Sequence, residues 1–137
     1  MSSELSVDEI TAIETVNDVS AARRRGMTIA LEMGFDRADA TRIAVAISEL
    51  ARNIVVYANQ GMIRITSDHN AEPPYIQVIA SDNGPGIDDV DLAMTDHWTS
   101  SRGLGLGLSG SRRLMDDFNI ETEVGRGTTI TVTKWLK

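Results

Sequence analysis

The sequence predicts an α+β fold, a two-layer sandwich with helices on one face of a mixed, mostly antiparallel sheet. Three observations predict it. Segments 18–33 and 37–58 carry apolar residues at helical spacing. "MIRIT" and "YIQVIAS" have the composition of strands, and only the turn-rich "SDHNAEPP" separates them. The C-terminal "IETEVGRGTTITVTKWLK" has the form of a hairpin turning at Gly125-Arg126-Gly127.

In chain order, residues 1–9 read as a flexible polar tail and "EITAIET" as a short strand. "DVSAARRRGMTIALEM" follows as a helix, with Gly34 placed as its C-terminal stop. Asp36 and Asp39 cap and charge the start of the second helix, 37–58, whose apolar stripe is Ile43, Ile47, Leu50 and Ile54. After the two strands, "DNGPGI" is a loop, 88–94 a short helix and "TDHWTSSRGLGLGL" irregular. "SGSRRLMDDF" reads as helical before the closing hairpin. There is no internal repeat or low-complexity tract, so residues 1–137 are expected to form a single domain.

Composition narrows the function classes. With 13 basic against 20 acidic residues the formal charge is −7, which argues against a nucleic-acid partner. The chain has no cysteine, which excludes disulfides, thiolate metal sites and cysteine nucleophiles. No apolar run approaches membrane-spanning length and "MSSELSVDEI" has no signal-peptide pattern, so a cytoplasmic protein without membrane contact is expected. His69 and His97 lack metal-ligand spacing, Arg23 to Arg25 read as solvated helix surface, Trp98 and Trp135 as packing or partner contacts, and the six methionines as core filling.

Three stretches carry chemistry. In "SRGLGLGLSGSRR", glycines at 103, 105, 107 and 110 lower the local preference for any ordered state. The spacing matches neither the dinucleotide fingerprint nor a Walker loop. The segment runs into a predicted helix, whose N-terminal amides suit an anion, and Arg102, Arg112 and Arg113 either add positive charge or lie on solvated surface. On this stretch alone, a hinge and a phosphate cradle are both open.

In "SDNGPGI", Asp82 sits at a strand end, where its carboxylate can accept from an exocyclic amine, although the same residues also make an ordinary turn. In "SELARNIVVYA", Glu49 and Asn53 are i and i+4 on one helix face, roughly 100–140° from the middle of the apolar stripe. A carboxylate beside an amide oxygen there suits Mg²⁺, or Glu49 acts as a general base, or the two form a plain surface pair.

Together "SELARN", "SDNGPGI" and "RGLGLGL", in this order and followed by "GTT", resemble the Bergerat-fold ATPases, the superfamily of DNA gyrase and the histidine kinases. The resemblance implies a catalytic Glu49, a Mg²⁺-binding Asn53, and an Asp82 that takes the adenine amino group with Gly84 and Gly86 beside it. It further implies that Arg102, Gly103, Leu104, Gly105, Leu106 and Gly107 line the phosphates of ATP, and that Thr128 or Thr129 lies near the adenine. The glycine stretch then reads as a phosphate cradle in a mobile lid.

Within the superfamily, "AISELARNIVVYA", "SRGLGLGLSGSRRLMDDF" and the terminal "KWLK" are most similar to the stressosome switch kinases among the serine kinases and anti-sigma factors of bacterial partner switching. Anti-sigma relatives commonly carry a His-Gly pair where this chain has "VVYANQG". The resemblance implies a serine/threonine kinase for a STAS-domain protein, substrate and scaffold, which when released binds and activates a PP2C-type phosphatase. An anti-sigma-type protein that sequesters a sigma factor under ATP control, and a non-catalytic nucleotide switch, are the alternatives.

Overall fold

A computed structural model describes residues 6–86 and 107–137. Five strands, β1 (Val7–Ile13), β2 (Gly61–Asp68), β3 (Tyr75–Asp82), β4 (Asp117–Glu123) and β5 (Gly127–Trp135), form one sheet in the order β1-β2-β3-β5-β4. Every pairing in it is antiparallel. The helices are α1 (Val16–Met33), α2 (Arg37–Asn53) and α3 (Gly107–Leu114), with α2 packed between the other two. This is the α+β sandwich expected, without a parallel pairing among the described strands.

The alternation of each strand decides which side the helices cover. In β2 and β3, Ile63, Ile65, Ile76 and Val78 are buried to within 1% and face α1 and α2, whose Ile29, Ile43, Ile47 and Leu50 are equally buried. Residues one position along face away from the helices, and Ile10 and Met62 stand exposed there. Met62 departs from the expectation that all methionines fill the core, whereas Met33 and Met115 meet it.

The helix ends follow from local chemistry. Thr15 and Asp18 form a reciprocal capping box at the start of α1, and Gly34 ends it in the left-handed conformation at φ 107°. The Asp36 side chain accepts from the Asp39 amide at 2.7 Å to begin α2.

Three expectations about extent need correction. The tail is shorter than nine residues, because Val7, Asp8 and Glu9 pair with Ser67, Thr66 and Ile65. The second helix is α-helical only to Asn53, and Ile54–Ala58 continues as a π-helical turn. The helix read from "SGSRRLMDDF" starts earlier, at Gly107, and ends at Leu114, since Asp117 and Phe118 pair with Thr133 and Val132 in β4. The short helix expected at 88–94 lies outside the described residues.

Candidate functional site

At one end of the sheet, β3 and β5 meet the C-terminal end of α2 and the start of α3. The cavity there is lined among the described residues by Leu50, Asn53, Ile54, Tyr57 and Ala58 from one helical stretch, Ala80 and Asp82 from β3, Pro85 and Gly86 from the following loop, Leu108 from α3, and Thr128 and Ile130 from β5. The walls are mostly aliphatic, with the polar side chains Asn53, Tyr57, Asp82 and Thr128 set among them. An apolar slot with a few polar groups suits a flat heterocycle.

Asp82 and Thr128 face each other across the β3–β5 pair and point to the helix side of the sheet. Asp82 Oδ1 accepts the Gly84 amide at 2.8 Å, closing a short turn that fixes the carboxylate at the strand end. Gly84 packs on Ala58, where a Cβ would stand 2.6 Å from the alanine Cβ. Gly86 adopts φ 79°, and a Cβ there would stand 2.5 Å from the Glu123 carbonyl, so the loop closes down on the β4–β5 turn only as glycine. The Gly125 amide donates to the Pro85 carbonyl at 2.8 Å across the same contact.

The two threonines lie on opposite faces of the sheet. Thr129 pairs with Ser81, and both belong to a groove on the other side of the sheet, lined also by Glu14, Gln60, Met62 and Asn83. One residue of strand turns the side chain to the opposite face, so Thr128 shares the cavity wall facing α2, and Thr129 lies outside it.

Glu49 and Asn53 lie one turn apart on α2, as the spacing predicts. Their surroundings differ. Glu49 is 8% exposed, deeper than the cleft margin expected, and lies outside the cavity lining. Asn53 is half-buried on the cavity wall, and its Nδ2 is buried with no hydrogen-bond partner among the described residues. The two ends of an amide exchange by rotation about χ2, so Oδ1 reaches the same place. A buried amide with an unmet bond suits a metal or phosphate ligand.

Of the glycine stretch, Arg102, Gly103, Leu104, Gly105 and Leu106 lie outside the described residues. Gly107 opens α3, and Leu108 beside it lines the cavity, so the positive end of α3 is directed at the site. Arg112 and Arg113 occupy the last turn of α3, exposed at the opposite end of the helix. That placement puts both residues in the turn of α3 farther from the cavity-lining Leu108. His97 and Trp98 are outside the described residues, and no group of three or more His, Asp or Glu residues among the described ones could hold a metal by itself.

Sequence reasoning missed Tyr57, Leu108 and Ile130. Tyr57 continues the spacing from Glu49 through Asn53, a signal that was available. Leu50 and Ile54, read as core stripe, serve as both core and cavity wall.

Residues 38–137 match the model of the histidine kinase-, DNA gyrase B- and HSP90-like ATPase family. The chain is 46% identical over 125 residues to the serine/threonine-protein kinase RsbT of Bacillus subtilis, covering 91% of this chain and 94% of that one. It is 31% identical over 99 residues to the anti-sigma F factor of Clostridium beijerinckii, covering 67% of this chain and 68% of the factor. A crystal structure of RsbU and RsbW domains from a Mycobacterium tuberculosis protein superposes with a TM-score of 0.64 at 20% identity, over 94% of this chain. This chain spans 32% of that protein's crystallised length, and the likeness is one of fold. The chain belongs to the histidine kinase-, DNA gyrase B- and HSP90-like ATPase family, in its RsbT-type branch.

Proposed function

We propose that this protein is an ATP-dependent serine/threonine kinase of a partner-switching module, binding the adenine of ATP in the cavity between α2 and the sheet. The carrying observation is the convergence of Asp82, Thr128 and the Asn53 amide, unpartnered among the described residues, on one cavity, with the helix N-terminus at Gly107 directed at it. Asp82 accepts from the adenine amino group and the aliphatic wall receives the ring. Asn53 holds Mg²⁺, and the start of α3 together with Arg102 to Leu106 receives the phosphates. Mg²⁺, when bound, neutralises part of the charge on the phosphate oxygens. Thr129, on the other face, has no place in this reading.

Glu49 lies one helical turn from Asn53 and accepts the proton of the incoming hydroxyl. General-base catalysis contributes about 10²–10⁴-fold, so Glu49→Ala is expected to lose phosphotransfer and keep nucleotide binding. The acceptor is a serine of a STAS-domain protein, and the released kinase binds a PP2C-type phosphatase. Support for these partners comes from the 46% identity to RsbT over nearly the whole of both chains. Sequestration of a sigma factor, the alternative raised by the 31% identity to an anti-sigma F factor, is distinguished by which protein class is held in a reconstituted mixture.

The test is calorimetric titration of Mg·ATP and Mg·ADP into wild type and Asp82→Asn, then phosphotransfer to a purified STAS-domain protein. Saturable binding that Asp82→Asn abolishes, followed by transfer, is the expected result. Failure of the folded wild type to bind Mg·ATP refutes the reading.

A further inference from the structure

We infer that Lys134, at the far end of β5 from the cavity, is a positioning residue that sets the phosphate-facing end of α3 by holding its other end. The inference rests on the nucleotide reading of the cavity above and adds to it a residue outside the cavity lining.

By itself α3 does not set its own direction. It has 8 residues, "GLSGSRRL", with a glycine at its start and another at its centre. A helix shorter than about 12 residues is marginal in water, and an interior glycine weakens it further. Its order and direction therefore come from packing on α2 and from what its two ends touch. Near its start, Leu108 is buried and lines the cavity, and its carbonyl accepts the Ser111 hydroxyl at 2.9 Å. At its finish, where a helix leaves carbonyls without partners inside the helix, the Leu114 carbonyl accepts from Lys134 Nζ at 3.2 Å.

Lys134 shares the helix-facing side of β5 with the cavity-lining Thr128, about 20 Å further along the strand. It is 8% exposed, which is rare for a lysine. Asp116 Oδ1 stands 3.6 Å and Asp39 Oδ1 4.0 Å from its ammonium. One buried cation thus ties the end of α3 to the first turn of α2 and to β5, and its charge complements the negative end of the α3 dipole. An apolar side chain of the same length would fill this space without burying a charge, so packing alone does not call for lysine. The helix is about 12 Å long, so a tilt of roughly 10° about a released end moves the other by about 2 Å. A misplacement of about 1 Å at a site that positions reacting groups can lower a rate about 100-fold.

The experiment compares wild type with Lys134→Met by thermal melt, by amide hydrogen exchange without nucleotide, and by Kd for Mg·ATP and for adenosine, which lacks the phosphates. Methionine occupies the space of the lysine stem and buries no charge, so the variant is expected to melt near or above wild type. Exchange is expected to quicken about ten-fold at Ser111 to Leu114 and to stay unchanged at Ala22 to Ala30 of α1. Kd for Mg·ATP is expected to rise about ten-fold, the size of one charge-assisted hydrogen bond, with adenosine held within about two-fold. A lysine that only stabilises the fold leaves the ratio of the two constants as it is. If Lys134→Met does not fold, Lys134→Leu removes the same ammonium and is read in the same way. An unchanged ratio in the folded variant, α3 exchange no faster than in wild type, or faster exchange spread equally over α1, overturns the inference. Absence of Mg·ATP binding by the wild type, or binding undiminished in Asp82→Asn, refutes instead the nucleotide reading on which it rests.

Discussion

Replacing Asn53 with leucine is expected to stabilise the protein and abolish its Mg²⁺-dependent nucleotide binding. Asn53 Nδ2 is buried without a partner among the described residues, and a buried polar group left unpaired costs about 1–3 kcal/mol. Leucine removes that penalty, adds a few tenths of a kcal/mol in helix propensity, and directs its methyl groups into a cavity already walled by Leu50 and Ile54. The sum is a gain of about 1–3 kcal/mol, or roughly 4–10 °C in melting temperature for a domain of this size. The assay is a thermal melt of both proteins with and without Mg·ATP, supported by calorimetric titration. Wild type is expected to melt higher with nucleotide, and Asn53→Leu to melt higher than wild type alone and ignore nucleotide. A leucine variant that melts below wild type would show that the amide is satisfied. One that still binds Mg·ATP with wild-type affinity would remove Asn53 from the ligand set.

Gly127→Ala should destabilise by about 2 kcal/mol or more, read as a lower urea midpoint. The residue sits at φ 127°, and an added Cβ would collide with the Asp82 carbonyl oxygen. Ile47→Ala, at a fully buried position between α1 and the sheet, should cost about 2–5 kcal/mol in the same assay. The acid limb of stability should carry the signature of three depressed carboxyls. Hydrogen bonding from Arg25 holds Glu9 below its ordinary 4.5, hydrogen bonding from Arg64 holds Asp8 below 3.8, and the Glu14 and Thr15 amides hold Asp18 below 3.8. Each therefore contributes stability that is full above the ordinary value and is lost as pH falls through the lower folded value. Urea titrations from pH 6 to pH 3 should show the loss, and Glu9→Gln should flatten it. An equally steep limb in Glu9→Gln would show that the Arg25 pair contributes nothing.

What could be read from the sequence was whatever depends on neighbours in the chain. Gly34, Asp36 and the stripe Ile43, Ile47, Leu50 and Ile54 announce themselves because caps and helical periodicity are local. The end of α2 was misread because nothing in "NIVVYANQG" marks the change from α to π geometry; the run of β-branched residues is compatible with either. The boundary at Leu114 was missed for a different reason. "MDDF" continues a helical pattern, but the Asp116 amide donates to the Thr133 carbonyl at 3.0 Å and Asp116 Oδ2 accepts the Trp135 amide at 2.9 Å, which turns the chain into β4. Tertiary partners 17 and 19 residues away decided it. The same limit left Thr128 and Thr129 unresolved, because which one faces α2 is set by the register against Asp82 and Ser81.

The two ends of α2 show how stability and function divide within one element. At its N-terminal end, polar groups are matched. Asp36 caps the helix, and the buried Lys134 ammonium donates to the Leu114 carbonyl at 3.2 Å with Asp116 at 3.6 Å and Asp39 at 4.0 Å beside it. The Leu136 amide adds a bond to the Pro74 carbonyl at 2.8 Å. That end holds α1, α2, α3 and β5 in fixed relation. At its C-terminal end, the α-helical ladder gives way to a π turn, the Asn53 amide has no partner among the described residues, and the wall of β3 and β5 presents Asp82 and Thr128. A sequence selected for stability alone would close this end with a leucine and a capping glycine. The proposed ligand, with an amino group for Asp82 and a metal for Asn53, would complete that polar mismatch. The matched end anchors the C-terminal tip of α3 through Lys134 and Leu114, while Leu108, near the helix's other end, is buried and lines the cavity.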